Sequence, residues 1–256
     1  MADEILCSIS DRIATITMNR PEKRNAMNSA LLTGLRSTFA DLEENPDVRV
    51  IVIRGAGPAF CAGMDLQEMK TRGGEADPEA NVVDVLQAIE RSRHPTIAMV
   101  HGAAFAGGCE LALHCDLRVA ADVARFAMPL AKIGLIVPFK LGQKLVEIIG
   151  PSYTRQILFT GDPVDGRRAF EIGMVHAVVP AGDVEARTYA LARSIAMGAP
   201  MSLAGMKATI QRALALRERI EHADLDALAK RARTSEDARE GVRAMLEKRA
   251  PNFKGV

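Results

Sequence analysis

The apolar positions of this chain fall into two kinds of run. Val50-Ile51-Val52-Ile53 and Ile97-Ala98-Met99-Val100 are short and continuous, the signature of strands buried on both faces. Ile5 to Ile9 and Ile13 to Met18 read as two further strands, joined at Asp11-Arg12. Asn28-Ser29 opens a helical pattern carried by Leu31, Leu35, Phe39 and Leu42, which stops before Asn45-Pro46. A strand over Val48 to Ile53 follows. The polar stretch Thr71 to Pro78 then predicts a mobile surface loop. A helix over Val82 to Ile89, a strand over Thr96 to Val100, a helix carrying Glu110 and Cys115, and a strand over Leu117 to Ala121 complete the alternation. After Pro180 the strand signals vanish. Helical patterns cover Val184 to Met197, Ser202 to Leu216, Ile220 to Ala232 and Glu236 to Lys248. No internal repeat or low-complexity segment interrupts this order.

Composition narrows the class. The chain has 256 residues, 48% of them hydrophobic and 25% charged, which suits a soluble globular protein with a sizeable core. A net charge of +1 gives no reason to expect nucleic acid or an anionic membrane as partner. No apolar stretch is long enough to span a bilayer, and Met1-Ala2-Asp3-Glu4 resembles neither a signal nor a transit peptide. A cytoplasmic location is the expectation. The four cysteines, Cys7, Cys61, Cys109 and Cys115, are expected to be reduced. His114-Cys115-Asp116 makes a poor chelate, because adjacent helical residues face different ways, so no metal is expected. Nucleotide-hydrolysing loops and serine-hydrolase elbows lack their usual signals.

Two segments share one grammar: strand, small residues, helix start. The first is Ala59-Phe60-Cys61-Ala62-Gly63-Met64-Asp65-Leu66, in which Asp65 can cap a helix. The second is Ala103-Ala104-Phe105-Ala106-Gly107-Gly108-Cys109-Glu110-Leu111. Glycines admit a ligand close to the backbone, and the free N–H groups of a new helix carry positive potential. One N–H from each loop could hold an oxygen that gains negative charge, with Glu110 placed to move a proton. Taken alone, the second segment also reads as a tight turn whose glutamate favours a helix start.

These segments resemble the two signatures of the crotonase superfamily, the enoyl-CoA hydratases and isomerases. Asn19-Arg20-Pro21-Glu22, Asn25-Ala26-Met27, Leu158-Phe159-Thr160-Gly161, Ala169 to Val175, Glu247-Lys248-Arg249 and Asn252-Phe253 extend the match along nearly the whole chain. The resemblance implies an α/β fold, a spiral of repeated ββα units over residues 1–195 that holds the acyl-CoA site. A C-terminal helical region over 196–256 then builds a homotrimer or a dimer of trimers. It implies a CoA thioester as substrate and no further cofactor. It assigns the oxyanion-hole donors to Met64 and Gly107 and the catalytic carboxyl to Glu110. Contacts to CoA fall on Lys23, Arg24, Ala26, Ala62, Asp65, Leu66 and Lys248.

One departure matters. Where the hydratases carry a second glutamate after a proline, this chain has Leu130 after Pro129, with Gly134 and Gln143-Lys144-Leu145 at the expected spacing. The family's glycine-rich run is replaced by Val137-Pro138-Phe139-Lys140-Leu141-Gly142. Hydration is well served by two carboxyls in complementary protonation states, whereas a 1,3-proton shift needs one base. The resemblance therefore implies a hydratase or isomerase with Glu110 as its proton shuttle, hydratase being the first name it suggests. The alternatives are a decarboxylase similar to the methylmalonyl-CoA enzymes, whose tyrosine near Gly134 is absent here, and an acyl-CoA-binding protein without turnover.

Overall fold

The computed structural model describes residues 3–71, 78–215 and 220–255. Its centre is a six-stranded sheet in the order β1-β2-β3-β4-β6-β9. β1 (Ile5–Ser10) and β2 (Ile13–Met18) form an antiparallel hairpin, turned by Asp11 (φ 52°) and Arg12 (φ 66°). Positive φ at both central residues matches the right-handed twist of the flanking strands. β3 (Val50–Gly55), β4 (Thr96–Val100), β6 (Leu117–Ala121) and β9 (Ala177–Val179) add in parallel. β4 is buried at every position, as a continuous apolar run requires.

Helices close the sheet. α1 (Ser29–Glu43) starts where Asn28 Oδ1 accepts the Leu31 N–H at 2.8 Å, and it buries Leu31, Leu32, Leu35, Phe39 and Leu42. It packs against α3 (Pro78–Arg91), while α7 (Val184–Ala196) lies against β2, β3, β4 and β6. The short helices α2 (Leu66–Thr71) and α4 (Gly107–His114) begin directly after the two glycine-containing loops.

The alternation predicted from the sequence is present, with additions and one shift. A second sheet joins β5 (Ala103–Phe105), β7 (Arg125–Ala127) and β8 (Val164–Asp165). Strands of two or three residues leave no periodic signal. The long helix α5 (Phe139–Thr160) bends at Gly150-Pro151, where Gly150 adopts φ 70° and ψ 167°, and α6 (Gly166–Glu171) follows β8. Cys115 lies just past the end of α4, with extended backbone, not on the helix. The segment predicted as a mobile loop falls mainly on residues 72–77, outside the described residues.

The C-terminal helices α8 (Pro200–Leu214), α9 (Ala223–Arg233) and α10 (Glu236–Leu246) tie back to the core at defined points. Buried Lys207 on α8 donates to the His94 carbonyl at 2.9 Å and to Asp116 Oδ2 at 2.7 Å. α10 docks on the 3-10 turn Pro129–Ile133 so closely that a Cβ on Gly241 would lie 2.5 Å from Ile133 Cα. Among the described residues no helix is long and apolar enough to cross a membrane.

Candidate active site

The two glycine-containing loops are sewn together through backbone. Cys61 N–H donates to Ala103 O and Phe105 N–H to Cys61 O, both at 3.0 Å. A third strip of chain, residues 24–27, holds the first loop from its other edge. Ala62 N–H donates to Arg24 O at 3.0 Å, Met27 N–H to Gly63 O at 2.7 Å and Asp65 N–H to Met27 O at 2.9 Å. The Met64 N–H falls between these bonds and has no partner among the described residues. The Gly107 N–H has none either, since the first residues of a helix have no carbonyl one turn behind them.

Two glycines let the loops touch. Gly63 has φ 99°, and a Cβ there would lie 2.8 Å from Phe105 O and 3.5 Å from Gly107 N. A Cβ on Gly108 would lie 2.2 Å from Cys61 O. Ala106, the residue before α4, adopts φ 47° and ψ −121°, a conformation that alanine rarely takes, while donating to Ala127 O at 2.8 Å. Strained backbone of this kind persists where the surroundings over-determine it.

Met64, Gly107 and Glu110 line one cavity of about 340 Å³. Lys23, Ala26, Ala62, Asp65 and Leu66 share its wall, so the structure brings together eight of the ten residues singled out from the sequence. Arg24 and Lys248 are not on that wall. Arg24 is exposed and enters the site through its carbonyl, which holds Ala62. Lys248 is exposed in the turn after α10, with φ 55° and its N–H bonded to Met245 O. Asp65 acts locally: Oδ1 accepts from Gln67 N at 3.1 Å at the start of α2, and Oδ2 pairs with Arg20 at 3.1 Å.

Glu110 stands apart. It is wholly buried, and neither carboxyl oxygen has a hydrogen-bond partner among the described residues. An unsatisfied buried carboxyl calls for an explanation, and a substrate-facing role supplies one. Burial pushes its pKa well above the ordinary carboxylate value, with Lys144 pulling part of the way back. The rest of the wall is mostly hydrocarbon, including Met128, Leu130, Ile133, Leu135, Val137 and Leu141, with Met245 reaching in from α10.

The sequence placed Asn25 only within a segment matching the part of the family that lines CoA; in the structure it organises the first loop. It is fully buried at φ 56°, and its Nδ2 faces three carbonyl oxygens, Ala56 at 2.9 Å, Ala59 at 2.8 Å and Phe60 at 3.2 Å. Its side chain is itself fixed by the Arg20 N–H at 3.0 Å. A single asparagine in a polar run carries no periodic signal. Only the three-dimensional convergence of the carbonyls reveals its part.

Two backbone donors with no partner among the described residues and a desolvated carboxyl line one largely apolar cavity, an arrangement chemically able to hold an oxyanion while moving a proton. Comparison with known proteins identifies the enzyme family. The family model described as enoyl-CoA hydratase/isomerase matches residues 8–256, and the chain belongs to that family. A Mycobacterium tuberculosis protein named "Probable enoyl-CoA hydratase" is 34% identical over 98% of each chain. The crotonyl-CoA hydratase of Syntrophomonas wolfei is 30% identical over 98% of each. Among solved structures, methylmalonyl-CoA decarboxylase with 2-nitronate-propionyl-CoA superimposes at a TM-score of 0.90, with 27% identity over 99% of each chain. An enoyl-CoA hydratase/isomerase from Xanthobacter autotrophicus superimposes at 0.87, with 33% identity over 98% of this chain and 99% of that one. The protein is thus a crotonase-fold enzyme of the hydratase/isomerase type acting on acyl-CoA.

Proposed function

We propose that this enzyme performs one-base proton transfer on enoyl-CoA thioesters, moving a double bond from the β,γ to the α,β position. The observation that carries this reading is the composition of the cavity wall. Its ionisable members among the described residues are Lys23, Asp65 and Glu110, and Asp65 is engaged by Arg20. Glu110 is then the one carboxyl free to exchange a proton with substrate, and Leu130 stands where a second would serve hydration.

In this reading the thioester oxygen accepts the N–H groups of Met64 and Gly107. The Glu110 carboxylate takes a proton from the α carbon, and the C–H electron pair passes into a dienolate whose negative charge rests on that oxygen. The Glu110 carboxylic acid then returns the proton to the γ carbon, the dienolate collapses to the α,β-enoyl thioester, and Glu110 is again a carboxylate. Desolvation makes the carboxylate a stronger base, and the oxyanion donors make the α proton more acidic. Hydration adds a demand this wall does not meet with a second carboxyl.

Two supports bear on the alternatives. The hydrocarbon around Leu130, Ile133 and Leu141 suits an alkyl acyl chain better than an acyl group that carries a second, charged carboxylate. Lys23, Ala26, Ala62 and Leu66 at the mouth suit contact with the CoA portion, in the setting of fatty acyl metabolism. A homotrimer or a dimer of trimers belongs to the same reading. Its support is the solvent-facing apolar row Met197, Met201, Met206 and Ile210, exposed by 62–87%. So does a reducing, cytoplasmic setting, which the four free thiols suit.

The test is product analysis with a β,γ-enoyl-CoA and with crotonyl-CoA. Isomerisation should exceed hydration by at least about 10-fold in kcat/KM, the scale of one missing acid–base group. Faster hydration than isomerisation overturns the reading.

A further inference from the structure

A second cavity, of about 350 Å³, shares the first turns of α5 with the acyl cavity. Val137, Pro138 and Leu141 face the acyl cavity, while Phe139, Lys140, Gln143 and Lys144 line the second. The second is charged where the first is apolar. Its wall includes Glu90 from α3 and His114, the last residue of α4.

His114 connects the two. It lies one helical turn beyond Glu110 and is buried. Its Nδ1 is 2.8 Å from the carbonyl oxygen of Glu110. A carbonyl oxygen only accepts, so Nδ1 carries the ring hydrogen. That same nitrogen is 3.9 Å from Glu110 Oε2, one of the two carboxyl oxygens without a hydrogen bond among the described residues. On the other edge of the ring, Nε2 is 3.9 Å from Glu90 Oε2. Glu90 is fixed through Oε1 by Lys144 Nζ at 2.5 Å, and Lys144 is fixed in turn by Glu147 at 3.1 Å.

We propose that His114 is a positioning residue for Glu110: its Nδ1–H, held in place by the Glu110 carbonyl, is shared with the ionised carboxylate and steadies it. The proposal rests on Glu110 acting as the base. A shift of about 1 Å of the Glu110 carboxyl brings Oε2 within hydrogen-bond range of Nδ1. The bond then forms when the carboxylate is charged, and charged acceptors make the stronger bonds.

The ring itself stays neutral over the working range. Burial depresses its pKa to about 4; Glu90 on α3 opposes that shift, while Lys144 on α5 and Arg118 on β6 add to it. Glu147 faces it only through Lys144. A pH profile between about 5 and 9 therefore reports Glu110 rather than His114. Glu110 must be ionised to act, so activity rises with pH through its pKa. Removing a donor that favours the charged form moves that rise to higher pH.

The experiment compares kcat/KM for isomerisation across pH in wild type, His114→Leu, His114→Asn and Glu110→Gln. In His114→Leu the acid limb should move up by about one pH unit, which is ~10-fold lower kcat/KM below the limb and under ~2-fold above it. His114→Asn, whose amide nitrogen sits near the Nδ1 position, should restore most of the shift. His114→Met replaces the leucine variant if that one does not fold. An unmoved acid limb, or an equal loss at every pH in both variants, overturns the proposal. Retained turnover in Glu110→Gln sinks the one-base reading instead, so the two failures are told apart.

Discussion

The two sides of the acyl cavity are built in opposite ways. The side that carries Met64 and Gly107 is backbone: three strips of chain around Arg24, Cys61 and Ala103 are joined by main-chain hydrogen bonds of 2.7–3.0 Å. Gly63 and Gly108 are pressed against carbonyl groups. The side formed by Pro129 to Leu141 is side chain: Leu130, Ile133, Leu135, Val137 and Leu141 present hydrocarbon from a 3-10 turn and the start of α5. Backbone geometry admits little variation, because a shift at one strip breaks bonds in the next. A wall of side chains can change chemistry without changing the fold. This contrast shows how the backbone of the two loops can stay fixed while the facing wall carries Leu130, and how chemistry can vary on one scaffold.

The largest effect is expected on the rigid side. Gly108→Ala places a methyl 2.2 Å from Cys61 O, a backbone atom with nowhere to go. It should cost about 3 kcal/mol, roughly 6–12 °C in Tm for a chain of this size. Gly107→Ala is the internal contrast. Its methyl meets Met27 Cε at 2.6 Å, the flexible end of a side chain, and should cost under about 1 kcal/mol. Equal losses in the two variants, measured by thermal unfolding, would contradict the claim that contact with fixed backbone, and not with a flexible side chain, is what makes Gly108 intolerant.

Next in size comes the carboxyl where the sides meet. Glu110→Gln should fold normally yet lose at least ~100-fold in isomerisation rate, the usual scale for one acid–base group. Because the Glu110 pKa lies well above its ordinary value, wild-type kcat/KM should fall on acidification at higher pH than an ordinary carboxylate implies. The smallest effect belongs to the permissive wall. Leu130→Glu puts a carboxyl into hydrocarbon, where burial favours its protonated form, the form that delivers a proton to an α carbon. Crotonyl-CoA hydration should rise on the order of 10-fold, at some loss of stability from desolvation and crowding against Val137. Wild-type hydration already at a typical enzyme turnover, with no gain from Leu130→Glu, would mean that another group serves as the second acid.

The same contrast separates what was legible in the sequence from what was not. Continuous β-branched runs and a capped amphipathic pattern carry their own periodicity, so β3, β4, β6 and α1 could be read directly. The two glycine-containing loops were legible because glycines admit the close backbone approach that the structure shows. The short strands β5 and β7 were not, since three residues show no alternation, and α5 was hidden by its break at Gly150-Pro151. Lys248, assigned by motif to contact with CoA, lies exposed in the turn after α10 and off the cavity wall. His114 could be noticed as four residues from Glu110, but only the fold brings Glu90 and Lys144 up behind it.

The central claim is that a single carboxyl carries the same proton away from one carbon and back to another. The direct measurement uses a β,γ-enoyl-CoA deuterated at its α carbon, turned over in ordinary water. The account predicts α,β-enoyl product carrying much of the transferred deuterium at the γ carbon. Product with no deuterium at the γ carbon, accompanied by accumulation of the β-hydroxyacyl thioester, would contradict it.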